Sequence, residues 1–308
     1  MDSDLPTAEM EIVSESDSDE LVVFVDMAID NKQAPELAMP EPDSGTAKDL
    51  IEMLSESDSD ESVDMIIDNV ASSATPSRPP IISIPRYLDG TLPDDVLEVF
   101  GRTVSAIASR RGLRSCPFDL KVGKDLSQLE TRCEVFRTME QRRPKLLVTS
   151  PPCTMYSRLQ RLWNVKKMSL EQYSRRKAIA DEYLRFSHTC NKLQHHAGRS
   201  FAHEHPVGAS SWKEDSTQAV VNLPGVYNAL FDQCQFGLTS PRGTPLKKKT
   251  RIMCNNARLF NALHGCNCRP GLHTHRRIMG SEDGHRLSTW SENYPPALCN
   301  ALLDACFV

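Results

Sequence analysis

The stretch Lys145-Leu-Leu-Val-Thr-Ser-Pro-Pro-Cys153-Thr-Met-Tyr-Ser157 decides how the rest of the chain is read. Leu146-Leu147-Val148 is an apolar run of strand type, bounded by Pro144 before it and Pro151-Pro152 after it. Proline fixes φ and cannot donate to a sheet ladder, so the chain must leave the sheet at Pro151. Cys153 then stands just past the carboxyl end of a strand, where open α/β sheets bind their ligands. The plain alternative is a structural thiol buried behind a turn, since free cysteines are among the most buried residues.

Outward from this stretch the pattern alternates. Asp95 to Phe100 reads as a strand, Arg102 to Arg111 as a helix closed by Gly112, and Leu113 to Phe118 as a strand ending at Asp119. Ser127 with Glu130 suggests a capping box for a helix through Arg143, stopped by Pro144. Ser169 with Gln172 opens a long helix ending near Gly198, and Ser200 to His203 is a short strand running into Glu204-His-Pro206. This β-α-β-α-β-α-β order predicts an α/β fold, a Rossmann-like and mostly parallel sheet with helices on both faces. Residues 212–290 read as a small, loop-rich recognition region.

Charge divides the 308-residue chain. Residues 1–80 hold 21 Asp or Glu against Lys32, Lys48 and Arg78, whereas residues 81–308 hold 33 Lys or Arg against 20 acids. A basic body with an acidic tail suggests a polyanionic partner for the body. The cluster Ser14-Glu-Ser-Asp-Ser-Asp-Glu20 returns unchanged as Ser55-Glu-Ser-Asp-Ser-Asp-Glu61. Each copy precedes a short β-prone core, Leu21 to Val25 and Val63 to Ile67. So little apolar surface cannot offset chain entropy, so residues 1–80 are expected to be a disordered acidic tail. The cores suit strand addition to a partner's sheet edge. They resemble SUMO-interacting motifs with phosphorylatable serines, which implies SUMO as a partner; a merely solubilising tail is the plainer reading.

All ten cysteines lie at or after Cys116, and no segment reads as a signal peptide or bilayer span, so reduced thiols are expected. No membrane association is expected, and a nuclear location is preferred over a cytoplasmic one. Lys247-Lys-Lys-Thr-Arg251 serves equally as an import signal or a phosphate-contact strip. Cys266, Cys268, His273 and His275 offer four zinc ligands within ten positions. Ligands two apart crowd a tetrahedral site, and structural zinc usually uses wider spacing. A turn whose histidines meet phosphates or solvent is the alternative.

From about Asp95 the chain resembles the cytosine-C5 methyltransferases, and most of all the divergent methyltransferase-like domains of retroelement polyproteins. The matching pieces are Leu97-Glu-Val-Phe100, Asp119, Asp125 in Gly123-Lys-Asp125, Pro151-Pro152-Cys153, Glu204, Arg251, and Asn293 to Ala301. The resemblance implies a nucleic-acid substrate, DNA or RNA, with Cys153 adding to carbon 6 of cytosine. Glu204 would bond the N3 edge, and Arg251 would brace the base or Glu204. It also implies S-adenosylmethionine held by Phe100, Gly101, Asp119, Asp125 and Pro151. The chain departs from the family pattern at Gly101-Arg-Thr-Val, where the family carries more glycines, and at His205-Pro206 after Glu204. A non-catalytic, retroelement-derived domain that keeps the fold and binds nucleic acid or protein is the alternative.

Overall fold

The computed structural model of the protein describes residues 94–157, 167–269 and 271–307. The acidic repeat and its two apolar cores, expected above to be disordered and to bind SUMO, lie outside the described residues.

Strands β1 (Val96–Val99), β2 (Ser115–Phe118), β3 (Leu146–Thr149) and β4 (Ser200–Pro206) are mutually parallel. Two more, β5 (Tyr227–Asp232) and β6 (Lys249–Cys254), complete a sheet of order β2-β1-β3-β4-β6-β5. β6 runs against both its neighbours, so the sheet is mostly parallel with one reversed strand. β1 and β3 are buried at every position, because helices cover both faces.

Alternation along the strands divides the core in two. Val96, Leu146, Ala202 and Ile252 face α1 (Thr103–Arg110), α5 (Ala257–Leu263) and α7 (Pro296–Phe307). Leu97, Leu147, Phe201 and Met253 face α2 (Leu129–Arg142), α3 (Leu170–His196) and α4 (Asp215–Val221). Pro296 opens α7 at the position where a missing N–H costs nothing.

The long helix starts as its sequence predicts: the Gln172 amide donates to Ser169 Oγ at 3.2 Å, and Gln172 Oε1 accepts from the Ser169 amide at 3.4 Å. The box expected at Ser127 and Glu130 does not form. Gln128 is the N-cap of α2 and makes no side-chain cap, while Asp125 Oδ1 accepts from the Ser127 amide at 2.9 Å. Asp125 therefore holds the turn that Ser127 was expected to start, an Asx arrangement that competes with capping one residue later.

Two further corrections concern β4 and the segment after it. The strand continues three residues beyond His203, because β6 pairs along it from Ala202–Cys254 to Pro206–Thr250. Residues 212–290 also supply two strands of the main sheet. The loops left outside it lie between β5 and β6 and between α5 and α7. They carry the small hairpin β7 (Ser281–Glu282) and β8 (His285–Arg286), then α6 (Leu287–Trp290). Among the described residues no helix is long and apolar enough to cross a membrane.

Candidate functional site

The chain leaves β1 into α1 on one face of the sheet and leaves β3 toward α3 on the other. Connections that diverge in this way open a crevice beyond the carboxyl ends of the two strands. Phe100-Gly101 and Ser150-Pro151-Pro152-Cys153 edge that crevice. Ser150 still pairs with β1, its amide donating to the Val99 carbonyl at 3.1 Å, and the chain then turns away at Pro151 as expected.

The Pro-Pro-Cys turn is pinned to β4. His205 Nε2 lies 2.9 Å from the Pro151 carbonyl, which can only accept, so this nitrogen carries the proton. His205 Nδ1 then accepts from the Ser211 hydroxyl at 2.6 Å. The Cys153 carbonyl takes the amides of Tyr156 and Ser157 at 3.0 and 2.9 Å, closing the turn. Tyr156 is buried beneath it and donates to Asp181 at 2.6 Å. His205, one of the departures from the family pattern, is thus the clamp of this loop.

Cys153 is half-buried. Burial, with the Glu204 carboxylate acting in the same direction, pushes its thiol up to about 11, while Lys248 acts the other way. Glu204 is only 7% exposed, and its Oε1 has no hydrogen-bond partner among the described residues. Its nearest cation is Lys248, whose Nζ lies 3.6 Å away. That ammonium also donates to the Ser291 carbonyl at 3.1 Å and sits 5.9 Å from the centre of the Tyr294 ring. Tyr294 in turn shares a 2.7 Å hydrogen bond with Ser150. Glu204, Lys248, Tyr294 and Ser150 are therefore linked around one spot, and the charges of Glu204 and Lys248 reach Cys153.

Arg251 does not belong to that spot. In the β4–β6 register Arg251 stands opposite His205, and Glu204 opposite Ile252. Cross-strand partners share a face, so Arg251 and Glu204 project to opposite sides of the sheet. Of the two roles expected for Arg251, bracing the base or Glu204, this register does not bring it to Glu204, and Lys248 stands beside that carboxylate instead. Arg251 instead lies 4.1 Å from the centre of the Trp212 ring, and its Nε donates to Asn228 at 2.9 Å. Arg251→Lys should cost about 1–2 kcal/mol through the lost stack and fork hydrogen bond. It should leave chemistry at Cys153 unchanged; denaturant unfolding beside an activity assay checks both.

Around Trp212 lie the rings of His203 and His205, at 5.8 and 6.1 Å, with His188 4.9 Å from His203. Burial, reinforced by His205 and Lys192, lowers His188 from the usual 6.5 to about 3. Burial also lowers His203 and His205. The folded protein therefore holds these rings neutral, while the unfolded chain takes up protons as pH falls below 6.5. Stability present above pH 6.5 should be lost progressively toward pH 3. Denaturation midpoints measured across that window should fall, and His188→Gln should flatten the fall.

The other anticipated cofactor residues separate. Asp119 ends β2 and accepts from the Lys121 amide at 2.9 Å. Asp125 spends one oxygen on the Ser127 amide, the largest reason its pKa is lowered. Phe100 adopts φ 63, and its ring packs inward against Tyr183 at 5.1 Å. Gly101 backs onto Glu98: a Cβ there would meet Glu98 Oε1 at 2.7 Å. Glu98 is buried and accepts from the Val104 and Ser105 amides at 3.3 and 2.6 Å. The single glycine of this turn is required by the chain's own carboxylate, which already occupies the first amides of α1.

No protein-family model matches the chain, and no curated protein is significantly similar to it. Function therefore rests on the site alone.

A second constellation lies among the loops at the far edge of β5. Cys234, Cys268, His273 and His275 bring one ligand atom each to within 4.8 Å of one another. The sequence pattern places Cys266 where the structure has Cys234. Gly265, at φ 79, turns the chain after α5, and Cys266 points back at the Ala262 carbonyl at 3.7 Å. Cys234 comes instead from the turn after β5, more than thirty positions earlier. Spacing within the cluster held no signal for it.

Proposed function

We propose that residues 81–308 form a methyltransferase-like domain of the cytosine-C5 type, which receives a single nucleic-acid base in the crevice at Cys153. The observation that carries this reading is Glu204, a buried carboxylate within electrostatic reach of a half-buried thiol at the carboxyl edge of parallel strands. Its Oε1 faces Lys248 at 3.6 Å but accepts no hydrogen bond among the described residues. A buried acceptor without a donor is costly, and a ligand presenting N–H groups would satisfy it. The exocyclic amino group of cytosine, next to N3, is such a ligand. A duplex substrate would have to extrude the base first. The excess of basic over acidic residues in this part of the chain favours a polyanion.

The residues suit the covalent route. As the Cys153 sulfur bonds to carbon 6, its proton must leave, and Glu204 is the nearby base. The same carboxyl then donates at N3, where negative charge gathers. Carbon 5 becomes enamine-like. Once it is methylated, its proton must pass to a base while the sulfur–carbon 6 bond breaks, which restores the ring and frees Cys153. Lys248 moderates the charge of Glu204 without the planar fork of an arginine. S-adenosylmethionine, when bound, supplies the electrophilic methyl group. Asp119, at the end of β2, suits its sugar hydroxyls, and the Phe100-Gly101 backbone would lie along it. The first amides of α1 are not free for its carboxylate, since Glu98 holds them. Asp125 and Pro151 are committed to their own turns, one through Ser127 and the other through His205.

A second reading, base binding without methyl transfer, is favoured by the thiol itself. At about 11, Cys153 is protonated at neutral pH in the free protein. An oligonucleotide carrying 5-fluorocytosine separates the two. Methyl transfer leaves a covalent adduct, because carbon 5 has no proton to lose, whereas binding alone leaves none. Failure to bind S-adenosylmethionine in calorimetry would leave the binding reading. For the tail, we propose that its two apolar cores recruit SUMO to this domain, more tightly when the flanking serines carry phosphate.

A further inference from the structure

We infer that Cys234, Cys268, His273 and His275 bind one zinc ion, and that this ion is a structural clasp on the edge of the fold. The inference is independent of any chemistry at Cys153. Cys234 Sγ lies 3.3 Å from His275 Nε2, Cys268 Sγ 3.4 Å from His273 Nε2, and the two Nε2 atoms 2.9 Å apart. Zinc bonded to nitrogen at about 2.0–2.1 Å and to sulfur at about 2.3 Å sets tetrahedral ligand atoms roughly 3.3–3.8 Å apart. The two sulfur–nitrogen separations match that spacing, the two nitrogens stand slightly closer, and all four atoms lie within 4.8 Å of one another. Both imidazoles turn the same nitrogen into the cluster.

The backbone explains how these four meet. His273 and His275 are two apart in a segment that continues into the Leu246–Arg276 bridge, and extended chain puts alternate residues on one side. Cys268 is fixed by its amide, which donates to Asp232 Oδ2 at 2.9 Å. Asp232 is 2% exposed, and its Oδ1 has no hydrogen-bond partner among the described residues. A buried, half-used carboxylate behind a set of soft ligands is how metal sites orient their ligands and balance a cation's charge. Two thiolates and two imidazoles select zinc over the oxygen-seeking calcium and magnesium. Four protein ligands leave no open coordination position, so the ion would hold structure and not activate water.

The clasp reinforces segments that a few backbone hydrogen bonds already join, among them the Asp232 amide to the Cys266 carbonyl at 3.1 Å. Cys234 follows Gln233, whose amide donates to the Lys248 carbonyl at 3.0 Å. Arg276, next to His275, donates its amide to the Pro245 carbonyl at 2.9 Å. One ion therefore braces, from two sides, the segment that leads into β6.

The test uses the full chain purified without chelator and measured by elemental analysis. One zinc per chain is expected in the wild type and in Cys266→Ser, with loss to background in Cys234→Ser and Cys268→Ser. Replacement of the ion by cobalt(II) in the wild type should give intense tetrahedral ligand-field bands with thiolate charge transfer. This readout holds even where a variant fails to fold. No zinc after addition of zinc chloride, a different metal at full occupancy, or a pale octahedral cobalt spectrum would overturn the inference. So would zinc lost in Cys266→Ser and kept in Cys234→Ser.

Discussion

Cys153→Ser is expected to abolish the covalent adduct with a 5-fluorocytosine oligonucleotide while leaving the unfolding transition in place. A serine hydroxyl is far less acidic than a thiol, so it adds poorly to carbon 6. The change is small and sits on a turn whose hydrogen bonds run through backbone groups, the Cys153 carbonyl with Tyr156 and Ser157. Glu204→Gln should lower the rate of adduct formation by about 10²–10⁴-fold, the usual worth of a positioned acid–base group. Its amide can still bond the base but cannot relay the proton. Arg251→Lys, on the opposite face, is the internal control and should form adduct normally. Adduct formation by Cys153→Ser would remove this thiol from the mechanism. Equal loss in all three variants would instead mean that they report on folding.

His205→Ala should produce the largest loss of stability, about 2–5 kcal/mol in denaturant unfolding. The imidazole closes two buried hydrogen bonds at once, to the Pro151 carbonyl and the Ser211 hydroxyl. Alanine leaves both without a partner and opens space beside Tyr156, whose ring centre is 5.9 Å from that of His205. His205→Gln should recover part of the loss, since its amide nitrogen can reach the same carbonyl. The clamp also predicts a functional signature. Once Pro151 is released, the Cys153 thiol should react faster with a thiol reagent under native conditions. A stability loss below about 1 kcal/mol, the worth of one ordinary hydrogen bond, would show that His205 does not hold the turn.

Much of this arrangement was legible in order along the chain. The β-α-β-α-β-α-β order was readable because its elements are short and punctuated: Pro144 and Pro151 bracket the apolar β3, Gly112 closes α1, and Ser169 with Gln172 opens α3. Ser127 misled because Asp125, two positions earlier, competes for the same amide, and local sequence does not rank such rivals. The β5–β6 pair escaped because Tyr227 to Asp232 alternates weakly and is stabilised by its partner rather than by its own composition. His205 read only as a departure from a pattern, because the Pro151 carbonyl it holds lies 54 positions away and no local feature links the two.

By itself, the sequence determined the α/β class, the exit of the chain at Pro151, the place of Cys153 beyond a strand and the nearness of Cys268, His273 and His275. These features obey local rules: proline removes donors, strands alternate, and residues close in sequence stay close in space. Only the tertiary structure decided that Glu204 pairs with Lys248 and not Arg251, and that Cys234 stands where Cys266 was expected. Both depend on strand register and on contacts between segments distant in sequence. A shift of one residue in register sends a side chain to the other face of the sheet, and no local feature of Arg251 or Cys234 records which face or loop it will meet.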